Sequence, residues 1–595
     1  MSTSVGSTFT RASAHALSYD SPSSPTSLLS ASSHVDREGF LQSEHRAGGP
    51  YLCSLPAYII GLTAEYYRRT GQHRGSSKIR EDTEAILAEE EISYTSMMVT
   101  GRQSKVDPEP EPVPTVVVVT KQSSRRVAKK IHRALVQSFP SICVELINDG
   151  LLDPLRCFPV TRSESIFHKW GDICKAILRQ SDISEWTTIE CWRYGTSGNP
   201  TDNPVTVIVS VLKSSNNRFY TAMQRIRGIL AFFKESDVAI LFQKDEIKRH
   251  IENPILSKEA CTMAAQPGIS LGIHSSSAGS STLGGIVELQ SPHNKKWYCY
   301  GITCFHCVYA PEDHRQTLDH IQDAPKAFRQ WMYSPVFPGD AMADKLLNVD
   351  HPSVSDLKRT IENANEKING RKDAEFRRVD RLIQEREAGS DDAFVTKQEE
   401  YAHKIALNAN AIDQSERDHF QKFLDDKSYV LGSVLAGSGV YRKKARNANQ
   451  DFILDWALPF LYGERLPLEK FWYRRPFRQA VNSDTTFYKS GRSTFLTKGR
   501  YSELQSVHVH RVPISDDGKF RTVETFEHAF VSISGGPFSE GGDSGSFVFA
   551  EDGDVIALLW GGIERRDVTY VTPIEEVFDD IKRVTGALDV RIAEQ

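Results

Sequence analysis

At 595 residues the chain is longer than one hydrophobic core organises, since single domains run to about 100–200 residues, so two or three domains with linkers are expected. Its 39% hydrophobic and 25% charged content is ordinary for soluble protein, and a formal net charge of -5 gives no electrostatic basis for a nucleic-acid or anionic-membrane partner. No run approaches the ~18–20 apolar residues of a membrane span.

Residues 1–50, with SPSSPTSLLSASS as their plainest part, are low in complexity and read as a solvated, disordered tail. They lack the apolar core of a secretory signal; Arg11 with no acid before Asp20 in a Ser-rich setting keeps a mitochondrial transit peptide as the lesser alternative to a cytoplasmic or nuclear home. Nine scattered cysteines without a secretion signal read as reduced thiols in such a compartment. Residues 51–106 read as a partly helical segment around IREDTEAILAEEEI, and 107–114, DPEPEPVP, as a stiff acidic linker.

Over 115–250 short β-branched or apolar runs (TVVVVT, ICVELI, TIECWRY, PVTVIVSVL) alternate with stretches of helical spacing, as in Val127, Ile131, Leu135 and Phe139, which predicts a small α/β domain. No Gly-rich phosphate loop follows its first strand, TKQSSRR offering only Ser and Arg, so a recognition or regulatory role is expected rather than nucleotide binding. From about Gly268 the texture becomes Gly- and Ser-rich with many short apolar segments, the pattern of an all-β sandwich or barrel, ending on a helix at IEEVFDDIKRVTG. Residues 311–426 interrupt it with charged, helical sequence carrying a sparse stripe through Leu357, Ile361, Ile368, Val379 and Ile383, broken at EAGSDDA. This reads as an inserted helical hairpin of coiled-coil character, either a docking arm for a protein partner or a solvated excursion.

Three stretches of the β-rich half carry the residue types of nucleophilic acyl transfer. GGDSGS offers a hydroxyl at Ser544 in a glycine-rich loop, with the amides of Gly542 and Ser544 as the candidates to face a developing oxyanion. YGITCFHCVYA ends a strand on His306, and FILDWALPF sets Asp455 as an isolated acid in an apolar run, where a carboxylate needs a buried partner such as imidazole. Asp451, four residues upstream, is the competing acid.

TCFHCV, DWAL and GGDSGS resemble, in chain order, the histidine, aspartate and serine boxes of chymotrypsin-like (trypsin-like) serine proteases. KSGRSTFLTKG resembles the strand and turn before the serine loop in intracellular fungal and bacterial members, and LLWGG stands where the substrate-binding strand belongs. The resemblance covers 268–588 less the insert. It implies a C-terminal double-barrel protease domain and a serine endopeptidase with no cofactor, acting on a protein or peptide substrate or on itself, with catalytic His306, Asp455 and Ser544. Asp455 and Ser544 stand 89 residues apart against about 93 in the family, and the 149 from His306 to Asp455 exceed its ~45 by roughly the length of the insert.

By the same resemblance Phe538 or Ser539 would floor the primary pocket and Trp560 and Gly561 wall it. Ser291 and Glu540 stand where secreted members have cysteines, so their disulfides are not expected. Asp543 in secreted relatives pairs with a newly cut amino terminus; here either cleavage near Gly268–Ser281 or constitutive ordering by local hydrogen bonds would serve. A zinc site at Cys304, His306 and Cys307 is not expected, because adjacent strand residues point to opposite faces and no second ligand pair follows. The rival to an enzyme is a catalytically silent protease fold acting as a peptide-binding or scaffold protein.

Overall fold

The computed structural model describes residues 34–43, 46–50, 52–53, 57–60, 77–104, 112–148, 155–195, 197–215, 217, 219–245, 256–276, 279–389, 394–447, 450–461, 465, 473, 484–513, 519–533 and 536–593. They form a multidomain, β-rich protein with two compact units, one of Met1–Glu246, Ser506–Val523 and Glu564–Arg566, the other of Ile247–Gln505, Glu524–Ile563 and Asp567–Gln595. Among the described residues no helix is long and apolar enough to cross a membrane.

In the first unit a seven-stranded sheet runs in the order His34–Val35, Leu41–Gln42, Arg46–Gly49, Cys143–Ile147, Val113–Val119, Ser96–Ser104, Ala57–Ile60. Val113–Val119 and Cys143–Ile147 are parallel, which requires a crossover. The helix Arg125–Leu135 supplies it, capped by the Ser124 side chain and burying Val127, Ala128, Ile131 and Leu135 against Val116, Val118, Val144 and Leu146.

This sheet corrects the composition-based reading of its N-terminal part. Residues 34–49 hold three strands rather than tail, and the segment 51–106 carries two strands besides its helix Ser77–Glu89. Strands of two to four residues show too little alternation to stand out, and these are held by pairing and by Glu145, whose buried carboxylate takes Arg46 Nε at 2.7 Å and Arg102 Nε at 3.0 Å. Most of the linker stretch lies outside the described residues, and Val113 and Pro114 already belong to a strand.

The unit's second group of strands sets Trp186–Gly195 between Arg156–Phe158 and Val205–Val211, with Ala239–Lys244 parallel to the latter across the helix Tyr220–Phe232. Residues from the C-terminal half complete it, since Val507 pairs with Ile189 and His508 with Thr188. Arg566, fully buried, pairs with Glu190 and reaches Ser210 Oγ at 3.0 Å. The α/β unit is therefore discontinuous in sequence.

The second unit holds a five-stranded sheet, Ser281–Thr282, Ser270–Ile273, Asn348–Asp350, Val430–Gly437, Ala457–Pro459, and a three-stranded one, Trp297–Ile302, Gly285–Gln290, Val590–Ile592. A further run of strands includes Thr486–Gly491, Phe547–Phe549, Val555–Ile563 and Val568–Pro573. The interrupting block is not helical throughout. Asn348–Asp350 is a strand pairing with Ser270–Ile273 and Val430–Gly437, and the helices Ala324–Trp331 and Ala341–Leu346 bury Phe328, Trp331 and Leu346 in the same core as Leu271, Val349 and Val434.

Among the described residues the long helices of the block are Val354–Arg371, Ala374–Glu387 and Lys397–Asp425, three rather than a pair. Leu357 and Ile361 of the first pack with Phe420 and Phe423 of the third, and a capping box of Thr396 and Glu399 starts that third, longest helix. Tyr401, Ile405 and Ile412 remain exposed on that helix.

One core histidine gives this unit an acid weakness. His351 Nδ1 donates to the Ser270 carbonyl at 2.8 Å, and its Nε2 accepts the Gln266 amide at 3.0 Å, so only the neutral ring fits. Burial, and then the nearby Arg465, lower its pKa to about 3. With an unfolded value of about 6.5, its contribution is complete above that pH and lost as pH falls toward 3, about 2 kcal/mol of it between pH 7 and 5. Denaturant titrations at those two pH values should show His351→Gln losing about 2 kcal/mol less than wild type; equal losses would refute the assignment.

Candidate active site

The histidine and aspartate boxes meet through two isolated bridges, Tyr300 with Phe460 and Thr303 with Ala457. Thr303 and Ala457 exchange both backbone hydrogen bonds, at 3.1 and 2.8 Å, which sets the turn after Ile302 beside the segment leading into Ala457–Pro459. Asp455 lies just before that strand, not within one. Its neighbour Trp456 anchors the segment by donating backbone N–H to Ser438 Oγ at 3.0 Å and indole N–H to Asp580 at 2.9 Å.

Both carboxylate oxygens of Asp455 are then used by one residue. Oδ1 accepts the His306 backbone N–H at 3.0 Å and Oδ2 accepts Nδ1–H at 2.5 Å, with the two side chains 2% and 7% exposed. This contact fixes the tautomer with the proton on Nδ1 and leaves Nε2 as the basic nitrogen. Burial alone would lower the imidazole's pKa, but the Asp455 carboxylate, and after it Cys307, raise it to about 9. Asp451 pairs with Lys443 instead.

Cys304, His306 and Cys307 do not alternate across a strand. Phe305–Cys307 is a turn of 3₁₀-helix, which brings both sulfurs and the imidazole to one side, with Cys307 Sγ 3.5 Å from Nε2. Burial would push the Cys307 thiol up, but Cys304 and the His306 charge hold it well below the usual thiol range. Among the described residues none of the nine cysteines is in a disulfide.

Ser544 sits in a turn that only glycines allow. Gly542 and Gly545 have φ of +92° and +96°, and a Cβ on Gly545 would lie 2.3 Å from both Thr282 O and Thr303 Oγ1. Thr282 locks the loop from the histidine's side of the chain, its amide donating to Ser544 O at 2.9 Å and its hydroxyl to Gly542 O at 2.9 Å. Cys307 Sγ also approaches Ser544 O, at 3.6 Å. The Ser544 hydroxyl donates to the Trp560 carbonyl at 3.2 Å, while Nε2 faces Cys307; the loop and the imidazole are neighbours, with the serine turned toward Trp560. Among the described residues no hydrogen bond engages the amide of Gly542 or Ser544.

Asp543, fully buried beneath the loop, has a partner that the sequence reading missed. Lys489 Nζ lies 2.8 Å from its Oδ2, both side chains 0% exposed, and Thr494 Oγ1 at 2.7 Å and the amides of Ser493 at 2.8 Å, Glu540 at 3.1 Å and Thr494 at 3.3 Å also donate to it. Strand alternation held the signal, since Phe487, Lys489 and Gly491 are the buried positions of Thr486–Gly491. Arg492 extends the network with a bidentate pair to buried Asp356, at 2.9 and 2.8 Å, at the first turn of the helix Val354–Arg371.

The expected pocket residues fare unevenly. Phe538 is a core side chain stacked on Phe530 at 5.6 Å, and the Trp560 indole is fully buried on Tyr570, also at 5.6 Å. Ser539 Oγ bonds Thr569 Oγ1 at 2.6 Å, and Gly561 lies on the strand Val555–Ile563 whose Trp560 carbonyl meets Ser544.

No family model and no curated protein matches the sequence. Among solved structures the chain is similar to the crystal structure of Thermobifida fusca Protease A, at 10% identity and a TM-score of 0.21, covering 53% of this chain and 94% of that one.

Proposed function

We propose that this chain is a serine endopeptidase whose second unit is a chymotrypsin-like double barrel. The observation that carries the reading is the two-point contact of Asp455 with His306, at 3.0 and 2.5 Å, beside a glycine-turned serine loop. In this reading Ser544 attacks a peptide carbonyl after a χ1 swing from Trp560 O toward His306 Nε2, such loose contacts being usual before substrate binds. His306 takes the hydroxyl proton and returns it to the leaving amine, and Asp455 holds the ring and balances its charge. The amides of Gly542 and Ser544 receive the oxyanion. Ser539 and Gly561 line the substrate side, through backbone and small side chains.

Lys489 supports activity without cleavage, because Asp543 already has its cation. A binding-only protein is the second reading, favoured by the present direction of the Ser544 hydroxyl toward Trp560 O.

A fluorophosphonate probe separates the two. Full-length wild type should label at Ser544, and Ser544→Ala and His306→Ala should both abolish labelling. No labelling of folded wild type favours the binding protein.

A further inference from the structure

The peptidase reading uses one of three soft donors gathered at the turn after Thr303 and leaves both cysteines without a role. We propose that Cys304 Sγ, Cys307 Sγ and His306 Nε2 form a binding site for one thiophilic divalent ion of the Zn2+ type. Binding stands apart from the peptidase reading; only its consequence, a base silenced by metal, rests on it.

The geometry carries the assignment. The two sulfurs and a ring nitrogen of His306 lie within 4.8 Å of one another, and Nε2 is 3.5 Å from Cys307 Sγ. A tetrahedral zinc with Zn–S near 2.3 Å and Zn–N near 2.0–2.1 Å holds its nitrogen and sulfur about 3.5–3.6 Å apart, so that edge is already set. The backbone imposes it. Cys304 is the extended cap of the 3₁₀ turn, its carbonyl accepting the Cys307 amide at 3.2 Å, and this closes the two sulfurs onto the ring between them.

The surroundings fit as well. A histidine that ligates zinc usually gives its other N–H to a carboxylate, which orients the ring and raises its basicity, and Asp455 holds Nδ1 in this way at 2.5 Å. Two sulfurs and an imidazole select zinc over magnesium or calcium, which take oxygen ligands. Coordination replaces the Cys304 S–H contact to the Leu559 carbonyl, 3.1 Å long, and releases to solvent the protons of any thiols that bind as thiolates and any proton carried on His306 Nε2. The fourth position is left for water. A metal on Nε2 occupies the lone pair that would take the serine's proton, so zinc acts as a reversible inhibitor made of the site's own ligands.

Cobalt(II) makes the site visible. Metal-free, reduced full chain titrated with Co2+ should bind one equivalent with a thiolate-to-cobalt charge-transfer band, displaced by Zn2+, and the band should vanish in Cys304→Ser and in Cys307→Ser. X-ray absorption of zinc-loaded wild type should show two sulfurs and at least one nitrogen, a check that needs no variant to fold. An oxygen- and nitrogen-only shell, or a band that survives in both variants, overturns the site. Zn2+ should also suppress fluorophosphonate labelling until a chelator is added. Cobalt binding in a chain that never labels leaves the metal site standing and removes the peptidase; labelling without the band does the reverse.

Discussion

Asp455→Asn is expected to lower kcat by about 10⁴-fold with little change in KM. Asp455 gives His306 two acceptors, one for the backbone N–H at 3.0 Å and one for Nδ1–H at 2.5 Å. Asparagine has one acceptor oxygen and one NH2. If the oxygen stays on the backbone amide, the NH2 faces Nδ1 and turns that nitrogen into an acceptor, which moves the ring proton to Nε2. The base is then protonated at the atom that should take the serine's proton, and the imidazolium formed later lacks its counter-charge. Turning the amide over restores Nδ1–H but leaves the backbone N–H against another donor. Volume and packing hardly change, so near-UV circular dichroism should match wild type while ester hydrolysis collapses. Unchanged hydrolysis would sink the role given to Asp455, and Asp451, paired with Lys443, offers no substitute.

The residues of the candidate site stood out in the sequence more than the fold around them did. Ser544, His306 and Asp455 each stand in short stretches whose chemistry is local: glycines forced by positive φ, a strand end, an isolated acid. The geometry brings the latter two together and sets the serine loop beside them. What local sequence hides is pairing between distant residues. Asn348–Asp350 joins a sheet from inside a charged helical block, and three residues cannot show a period. Residues 506–523 belong with the N-terminal unit because Val507 finds Ile189, a contact that no run of neighbours encodes. Short strands at 34–49 carry tail-like composition because Glu145 and strand pairing hold them, rather than their own apolar faces. The two-sided strand rule failed at Cys304–Cys307 for a similar reason: the chain leaves the sheet at Thr303 and turns into a 3₁₀ coil.

Lys489→Met should cost about 3–5 kcal/mol of unfolding free energy and remove most fluorophosphonate labelling, because it takes the ammonium partner from a carboxylate that carries the serine loop. Lys489 and Asp543 are both sealed from solvent, 2.8 Å apart. Burial lowers the lysine's pKa while Asp543 opposes that, so the pair rather than either charge is what the site accommodates. With methionine in place, Asp543 keeps the Ser493 and Glu540 amides and the Thr494 hydroxyl but no counter-ion. The carboxylate then reaches for water or a proton, and Gly542 to Gly545 follow it, since Asp543 is joined to Ser544 by a single peptide bond. Lys489→Met combined with Asp543→Asn should recover much of the stability, because a neutral amide keeps oxygen for the same donors without an unpaired charge. Recovery of folding without recovery of labelling would locate the role of the pair in the shape of the loop. Urea titrations and labelling rates on the two variants decide it, and a single variant as stable and reactive as wild type would show that Lys489 is not what orders Asp543.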